Sequence, residues 1–466
     1  MRRASVSPGD RSRFCLLAAW WTLALTIITV RVAVAQVENV PVSNQVYEFI
    51  DRLGVRGVLP SASTTMVPMS RATVEGLLCE ASKKRSELST AESAYLEKFL
   101  REFGHEICGL NPVTGEIEVE NVARPRPAGL FNGSSAGEFF SDREKYLYYY
   151  TDSSVSLFLE FLGSLEYRAG NGDTYDGAEA ALETHGFRAR GTIKNRLGYY
   201  AQVTNGTLWG DHDFALDDPR LRSNFKFNEN NSPYFDFAEA YLRADLSWFN
   251  LEFGREYLRM GTGYSDRLIL TDNAPALDML KLDAHYGAVR YQFVHGSVLM
   301  EPAFTAGLPD DDPLRYVNKY VAFHRLEVSA FNILNAAFSE GVVYNRTAPE
   351  WAYLNPLIFL KSAEHSLQDR DNTMLALDLE LFPFDGYKFY GGLFVDDVDF
   401  SKIGTDWWGN QFGAQGGTYV ADVAGIRDVD LNVEYTRIDP FVYTNRITGN
   451  AYTNGEFGLG HRIGPN

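Results

Sequence analysis

After residue 35 the sequence has no run of about 20 consecutive apolar residues, which excludes a helical membrane protein. Cysteine is scarce, with three in 466 residues. Cys15 stands at the front of the leading apolar run, the wrong place for a lipid-modified cysteine. Basic charge is also short: 43 Lys and Arg against 61 Asp and Glu, a formal charge of −18. Nucleic-acid binding needs a basic face, so nucleic acid is excluded as a general partner. The sequence carries no nucleophile elbow, no HExxH and no phosphate loop, and no carboxylate pair is singled out for glycosidase chemistry. The chain is read as a non-enzyme, with no catalytic residue, metal or cofactor expected.

The first 35 residues read as a secretory signal peptide. Arg2, Arg3, Arg11 and Arg13 flank the run FCLLAAWWTLALTIITV, and Ala33-Val34-Ala35 precedes Gln36. Arg31 interrupts the approach to that site, and an uncleaved anchor helix is the alternative. Removing residues 1–35 takes away five Arg and one Asp, so the formal charge moves from −18 to −22. Cys79 and Cys108 remain. In an oxidising periplasm they form a disulfide candidate, the alternative being two buried thiols.

Residues 36–112 read as a periplasmic helical segment. Val46, Phe49, Ile50 and Leu53 follow the i, i+3, i+4, i+7 stripe, and Gly54 stops that helix. Ser70 can cap a second helix carrying Val74, Leu77 and Leu78. Ser89 to Glu92 is a capping box opening a third, with Leu96, Phe99, Leu100 and Phe103 on one face.

From about residue 113 the period changes from 3.6 to 2. In AEAYLRADLSWFNLEFGREYL, residues 238–258, Ala240, Leu242 and Ala244 alternate with Tyr241, Arg243 and Asp245. After Ser247-Trp248 the pattern resumes with Leu251 and Phe253 against Glu252. Leu375, Leu377, Leu379 and Leu381 alternate likewise with Asp378 and Glu380. Short turns are expected near Asp152-Ser153, Asn195, Ser247-Trp248, His295-Gly296, Phe331-Asn332, Asp385-Gly386 and Gly425-Ile426. Long connections are expected at roughly 166–186, 205–235, 259–283, 305–319, 343–372, 397–417 and 438–451. Short turns alternating with long polar loops are the pattern of an outer-membrane barrel; a string of soluble sandwiches would space its turns more evenly. In the barrel the apolar register faces lipid and the polar register lines the lumen.

Four stretches in this order, SNQVYEFIDRLGVRGVLP, GREYLRMGTGYSDRLILTDNAPALDML, EWAYLNPLIFLKSAEHSLQDRDNTMLALDLELFP and LGHRIGPN, resemble the capsule assembly Wzi-like family of outer-membrane proteins. The resemblance implies a mainly β fold: an 18-stranded transmembrane barrel with a small helical bundle at its periplasmic side. It also implies a protein that binds surface or capsular polysaccharide and anchors or helps assemble it at the cell surface. About 16 strands are legible. Residues 113–466 are therefore expected to form a barrel lacking its last pair, with Phe457 and Leu459 in a strand that flanks the gap. Outer-membrane lipid and the barrel-assembly machinery are the further partners, and a monomer is expected. The alternative function is a diffusion channel for carbohydrates, resembling porins.

Sugars stack on aromatic faces while carboxylates and amides take their hydroxyls. Trp407 and Trp408, with Asp406 and Asn410, form the first candidate glycan site, the alternative being an interfacial aromatic belt. Trp351 and Tyr353 form a second, in a loop stiffened by Pro349 and Pro356. Trp209 heads a third, beside Asp211, His212 and Asp213, whose metal reading fails because neighbouring side chains on an extended chain point oppositely. Asp310, Asp311 and Asp312 lack the spacing of a calcium loop and read as a solvated turn.

Overall fold

The structure is a computed structural model that describes residues 36–59, 63–103, 126–127, 146–151, 154–172, 175–229, 231–301, 317–405 and 407–464. The helical preface is built as its caps and stripes require. Helix α1, Val46–Val55, buries Val46, Phe49, Ile50 and Leu53. Helix α2, Arg71–Lys83, is capped by the Ser70 side chain, which accepts from the Thr73 backbone N–H. Helix α3, Thr90–Phe103, opens on a reciprocal capping box. The Glu92 N–H donates to Ser89 Oγ at 3.0 Å, and the Ser89 N–H donates to Glu92 Oε2 at 2.8 Å. Cys79, on α2, is disulfide-bonded, and its expected partner Cys108 lies outside the described residues, as does the signal segment.

The rest is one antiparallel sheet of 15 strands among the described residues, each paired with its sequence neighbour. In chain order the strands are β1 Arg126–Pro127, β2 Tyr146–Thr151, β3 Ser156–Ala169, β4 Glu179–Ile193, β5 Leu197–Gly210, β6 Tyr234–Asp245, β7 Phe249–Glu256 and β8 Leu277–Tyr286. They continue as β9 Val289–Val298, β10 Asn318–Ala330, β11 Leu334–Arg346, β12 Asn372–Phe384, β13 Tyr387–Asp397, β14 Gln411–Val420 and β15 Leu431–Ile438. Two tiny two-stranded sheets lie apart from it. Among the described residues no ladder joins β15 to β1.

The polarity of this sheet is the reverse of a soluble protein's. Leu242 and Phe253 are 52% and 70% exposed, whereas Arg243 and Glu252 beside them are 7% and 1% exposed. Leu377 and Leu379 are likewise exposed, with Asp378 and Glu380 buried. The polar face is concave, because the same segments touch it from strand to strand. The backbone of residues 37–38 lies flat on β5: a Cβ at Gly198 would stand 2.7 Å from the Glu38 amide nitrogen. On the other flank, the Val55 carbonyl accepts from the Gly386 N–H at 2.7 Å. Inward side chains from β8 to β15 also converge on one apolar cluster, together with Met260, Leu268, Tyr443 and Tyr452. The sheet is wrapped around its contents.

Those contents arrive from both ends. At the short-turn end sits the helical unit. Arg52 and Arg56 of α1 grip the turn after β14: Arg52 Nη2 and Arg56 Nη1 donate to Asp422 at 2.9 and 2.8 Å, and Arg52 also bonds Asp430. At the long-loop end the connection 257–276 and the chain after Ile438 fold inward.

Three expectations need correction. The turn expected at His295-Gly296 lies at Gly287, whose φ of +59° favours glycine, and His295 is inside β9. Several expected loops are shorter because the strands run on: β3 reaches Ala169 and β4 begins at Glu179. Finally, Phe457 is not in a strand of the large sheet but in a two-residue hairpin with Thr453–Asn454. Leu459 is fully buried in the interior cluster, so protein, not lipid, satisfies its apolar character.

Two outcomes follow from this arrangement. Leu242→Arg should cost about 2–4 kcal/mol of stability in a bilayer, the range for a cation on a lipid-facing strand; undiminished stability in denaturant titration would place that face in water. The α1 contact should also resist acid. Desolvation would push the Asp422 carboxyl up, but the Asp428 backbone N–H and the Arg52 guanidinium outweigh it and hold the carboxyl below its ordinary value. A depressed carboxylate contributes stability that is present above its unfolded value of roughly 3.9 and lost as pH falls through the lower folded value. Protease sensitivity of residues 46–103 should therefore stay flat down to about pH 4 and rise only below it.

Candidate functional site

Charges line the interior, and neighbouring protein groups pair with them. Arg190 bonds Glu160 of the neighbouring strand and Glu38 of the N-terminal segment, each at 3.0 Å. Lys281 lies 3.0 Å from Glu252, and Asn39 bridges Glu252 and Glu256 through its amide. Lys388 is 2.7 Å from Asp51 of α1. Arg325, fully buried, pairs with Asp378 and Glu327. Tyr264 and Ser265, from the connection after β7, donate to Glu434 of β15 through their backbone N–H groups.

On the outer face of β3–β6, register aligns Phe161, Phe187, Val203 and Ala238 in one exposed apolar row. The next row towards the long loops is Gly163, His185, Asn205 and Asp236, exposed and polar. Beyond it the inner face turns apolar: Leu182, Leu208 and Phe235 pack on Ala215, Leu221 and Phe227 of the connection 211–233. From this row outward the inner face of β4–β6 is apolar, while the outer face mixes Glu183 and Thr207 with exposed Leu165, Tyr167 and Trp209.

On that projecting wall Tyr167 pairs with Ala181, and Ala181 with Trp209. The two rings thus flank a small residue on one face, both exposed. Two strand spacings place them about 10 Å apart. Tyr234 stands exposed on the adjoining row, opposite Thr207 with Glu183 beyond it. Flat aromatic faces beside a carboxylate and a hydroxyl suit a carbohydrate chain, because ring C–H groups stack while hydroxyls donate and accept. Of the sequence candidates only Trp209 belongs to this platform. Tyr167 was hidden because residues 166–186 read as a loop; period-two alternation through SLEYRA was the available signal.

The other candidates lie elsewhere. Trp407 and Trp408 sit 6.2 Å apart, centroid to centroid, with the Lys402 ammonium 3.8 Å from the Trp407 ring. Trp407, Trp408 and Asn410 line one cleft of about 570 Å³ together with Phe412, Ala414, Arg437 and Phe441. Ala414 and Arg437 are paired on the outer face, so the cleft opens at the outer wall. Asn410 Oδ1 accepts from the Asp399 N–H at 2.7 Å; Asp406 lies outside the described residues. Tyr353 corrects the second candidate: it is fully buried, its ring tilted against Tyr344 and its hydroxyl donating to Asp371 at 2.8 Å, so only Trp351 of that pair is exposed. Asp211 caps a short helix, and His212 Nε2 meets the Phe227 carbonyl at 3.0 Å. Residues 310–312 lie outside the described residues.

The sequence profile described as "Capsule assembly protein Wzi" matches residues 169–466, more than half of the chain. The chain belongs to the capsule assembly protein Wzi family. No curated protein matches it. Among solved structures it is similar to Escherichia coli Wzi, described as an outer membrane protein involved in group 1 capsule assembly and a carbohydrate-binding β-barrel. That likeness has 14% identity and a TM-score of 0.47, covering 92% of this chain and 79% of that one. It is also similar to Pseudomonas aeruginosa OccK9, at 13% identity and TM-score 0.31, covering 61% and 82%. A third is Acinetobacter baumannii OccAB4, at 10% identity and TM-score 0.31, again covering 61% and 82%. Membership of the Wzi family rests on the profile match, not on these distant shape likenesses.

Replacing both Tyr167 and Trp209 by Ala should weaken carbohydrate binding by roughly 1 kcal/mol per lost stacking ring, about five-fold each. Both rings are exposed on the projecting wall, so thermal unfolding should be unchanged. Titration of the purified double variant with polysaccharide checks this, and undiminished affinity would remove the platform from consideration.

Proposed function

We propose that the chain is an outer-membrane barrel that binds surface polysaccharide and holds it for capsule attachment or assembly, acting by binding and not by catalysis. On this reading residues 1–35 direct export, the helical segment 36–112 closes the periplasmic end, and the long connections lie outside the cell. The chain works as a monomer, delivered to the membrane by the barrel-assembly machinery. Family membership supports the link to capsule. The observation that favours binding over conduction is the interior, where Glu38 and Asp51 pair with the wall cations Arg190 and Lys388 and Asn39 donates to the wall carboxylates Glu252 and Glu256.

Binding then belongs on the outside, where the polarity of β3–β6 reverses and Trp209 and Tyr167 are presented. The test combines two measurements on the purified full chain. It should retain capsular polysaccharide from its own host on a glycan array or in pull-down, and it should give no steady ohmic conductance in planar bilayers. Stable single-channel steps without polysaccharide retention would replace this reading with the diffusion channel.

A further inference from the structure

The connection between β11 and β12, residues 347–371, does not stand out into solvent. Register shows that Tyr320, Ala322, His324, Glu340, Val342 and Tyr344 share the sheet's outer face with exposed Leu326, Phe338 and Leu377. Yet all six are buried, because this connection lies over them. It is fixed there by specific bonds. Glu340 accepts from the Leu360 N–H at 2.9 Å, at the start of the short helix Leu360–Ser366. Thr373 donates to Glu364 of that helix at 2.6 Å, and Tyr353 packs on Tyr344. The connection is a strap on the outer wall.

Its lower edge is what matters. The Tyr291 hydroxyl donates to the Pro356 carbonyl, and Tyr291 shares a register row with Leu326, Phe338 and Leu377, the bare apolar wall. Next to Pro356 stand Leu357, 87% exposed, and Phe359, also exposed. An edge that continues a lipid-facing wall and points two large hydrocarbon side chains away from the protein has one consistent neighbour. We propose that the strap's edge at Leu357 and Phe359 is immersed in the outer leaflet, so that its partner is membrane lipid; this rests on the membrane reading above. Loss of water contact by two such side chains is favourable, and the exposed Ser362, His365 and Ser366 of the strap helix would face headgroups and solvent.

The test places a fluorescent label at single introduced cysteines in the mature chain reconstituted into phosphatidylcholine vesicles. The positions are Leu357→Cys, Ser366→Cys and, on the bare wall, Phe253→Cys. The labels at 357 and 253 should be quenched by spin-labelled lipid and several-fold less by aqueous iodide than the label at 366. A lipid-quenched wall label with an iodide-quenched label at 357 would overturn the strap proposal alone. Iodide quenching at both would overturn the membrane reading and the strap with it. A label at 357 shielded from both quenchers, and responding to the protein-to-lipid ratio, would assign the edge to a second copy of the chain and so also overturn it.

Discussion

Each charged side chain on the concave face of the sheet needs a partner once water is excluded, and the wall cannot supply all of them itself. Arg190 draws one carboxylate from its neighbouring strand and a second from Glu38; Lys388 has Glu380 at 3.7 Å in the wall and Asp51 of α1 closer, at 2.7 Å. An unpaired buried charge costs several kcal/mol, which a good partner offsets only with well-placed hydrogen bonds. The amide of Asn39, shared between Glu252 and Glu256, is such a bond. The N-terminal segment is therefore part of the wall's electrostatics and not a separable appendage. A water-filled pore would solve the same problem with solvent, so the ion pairs and the filled interior are two aspects of one solution.

The outer face obeys a different constraint, set by height. On four strands, counted from the short-turn end, the first outward charged or amide side chain comes at a similar distance. Arg255 and Arg437 are six residues on, and His185 and Asn205 eight. At about 3.3 Å per residue and a tilt near 40°, that is roughly 15–20 Å of apolar wall above the turns. On β10 and β11 the residues at six are His324 and Glu340, which bond each other at 2.9 Å beneath the strap instead of meeting solvent. The strap thus occupies the level at which neighbouring strands turn polar. This explains why the apolar residues above it, Val342 and Tyr344, need cover.

Much of this was legible in the sequence. The three helices were, because caps and stripes are local: Ser70, Ser89 and the Val46–Leu53 face need no tertiary information. The reversed polarity of the sheet followed from alternation without any helices to cover the apolar register. What alternation could not give was the destination of the long connections. Tyr353 and Trp351 share a loop and a chemistry, yet one is a packing residue and the other exposed, a difference set by how the loop folds back to bring Tyr353 against Tyr344 and Asp371. Leu459 failed for the same reason. An apolar residue after a strand-like spacing is equally satisfied by lipid or by Tyr443 and Tyr452, and period alone does not distinguish them. Register slips were local: in HYGAVRYQFVHG two glycines compete for the turn, and the first, with its positive φ, takes it.

Height also separates the two meanings of an exposed tryptophan. A ring at the polar level of the wall gains from lying between hydrocarbon and headgroups, so its exposure requires no sugar. Arg437, which lines the cleft with Trp408, stands six residues above its turn, at that level, and the cleft opens on the outer face. Trp209 stands twelve residues above Leu197, beyond the row of Asn205 where the wall has already turned polar. The row between them carries Glu183 and Thr207 beside exposed Leu165. Its neighbours Leu182 and Leu208 face inward, so the fold gave the interior its apolar groups and still left this ring and Tyr167 outside. We propose stacking on a carbohydrate chain as the reason for that placement. We propose Trp209 as the stronger glycan position; at the cleft lined by Trp407, Trp408 and Asn410 both a glycan site and an interfacial belt fit.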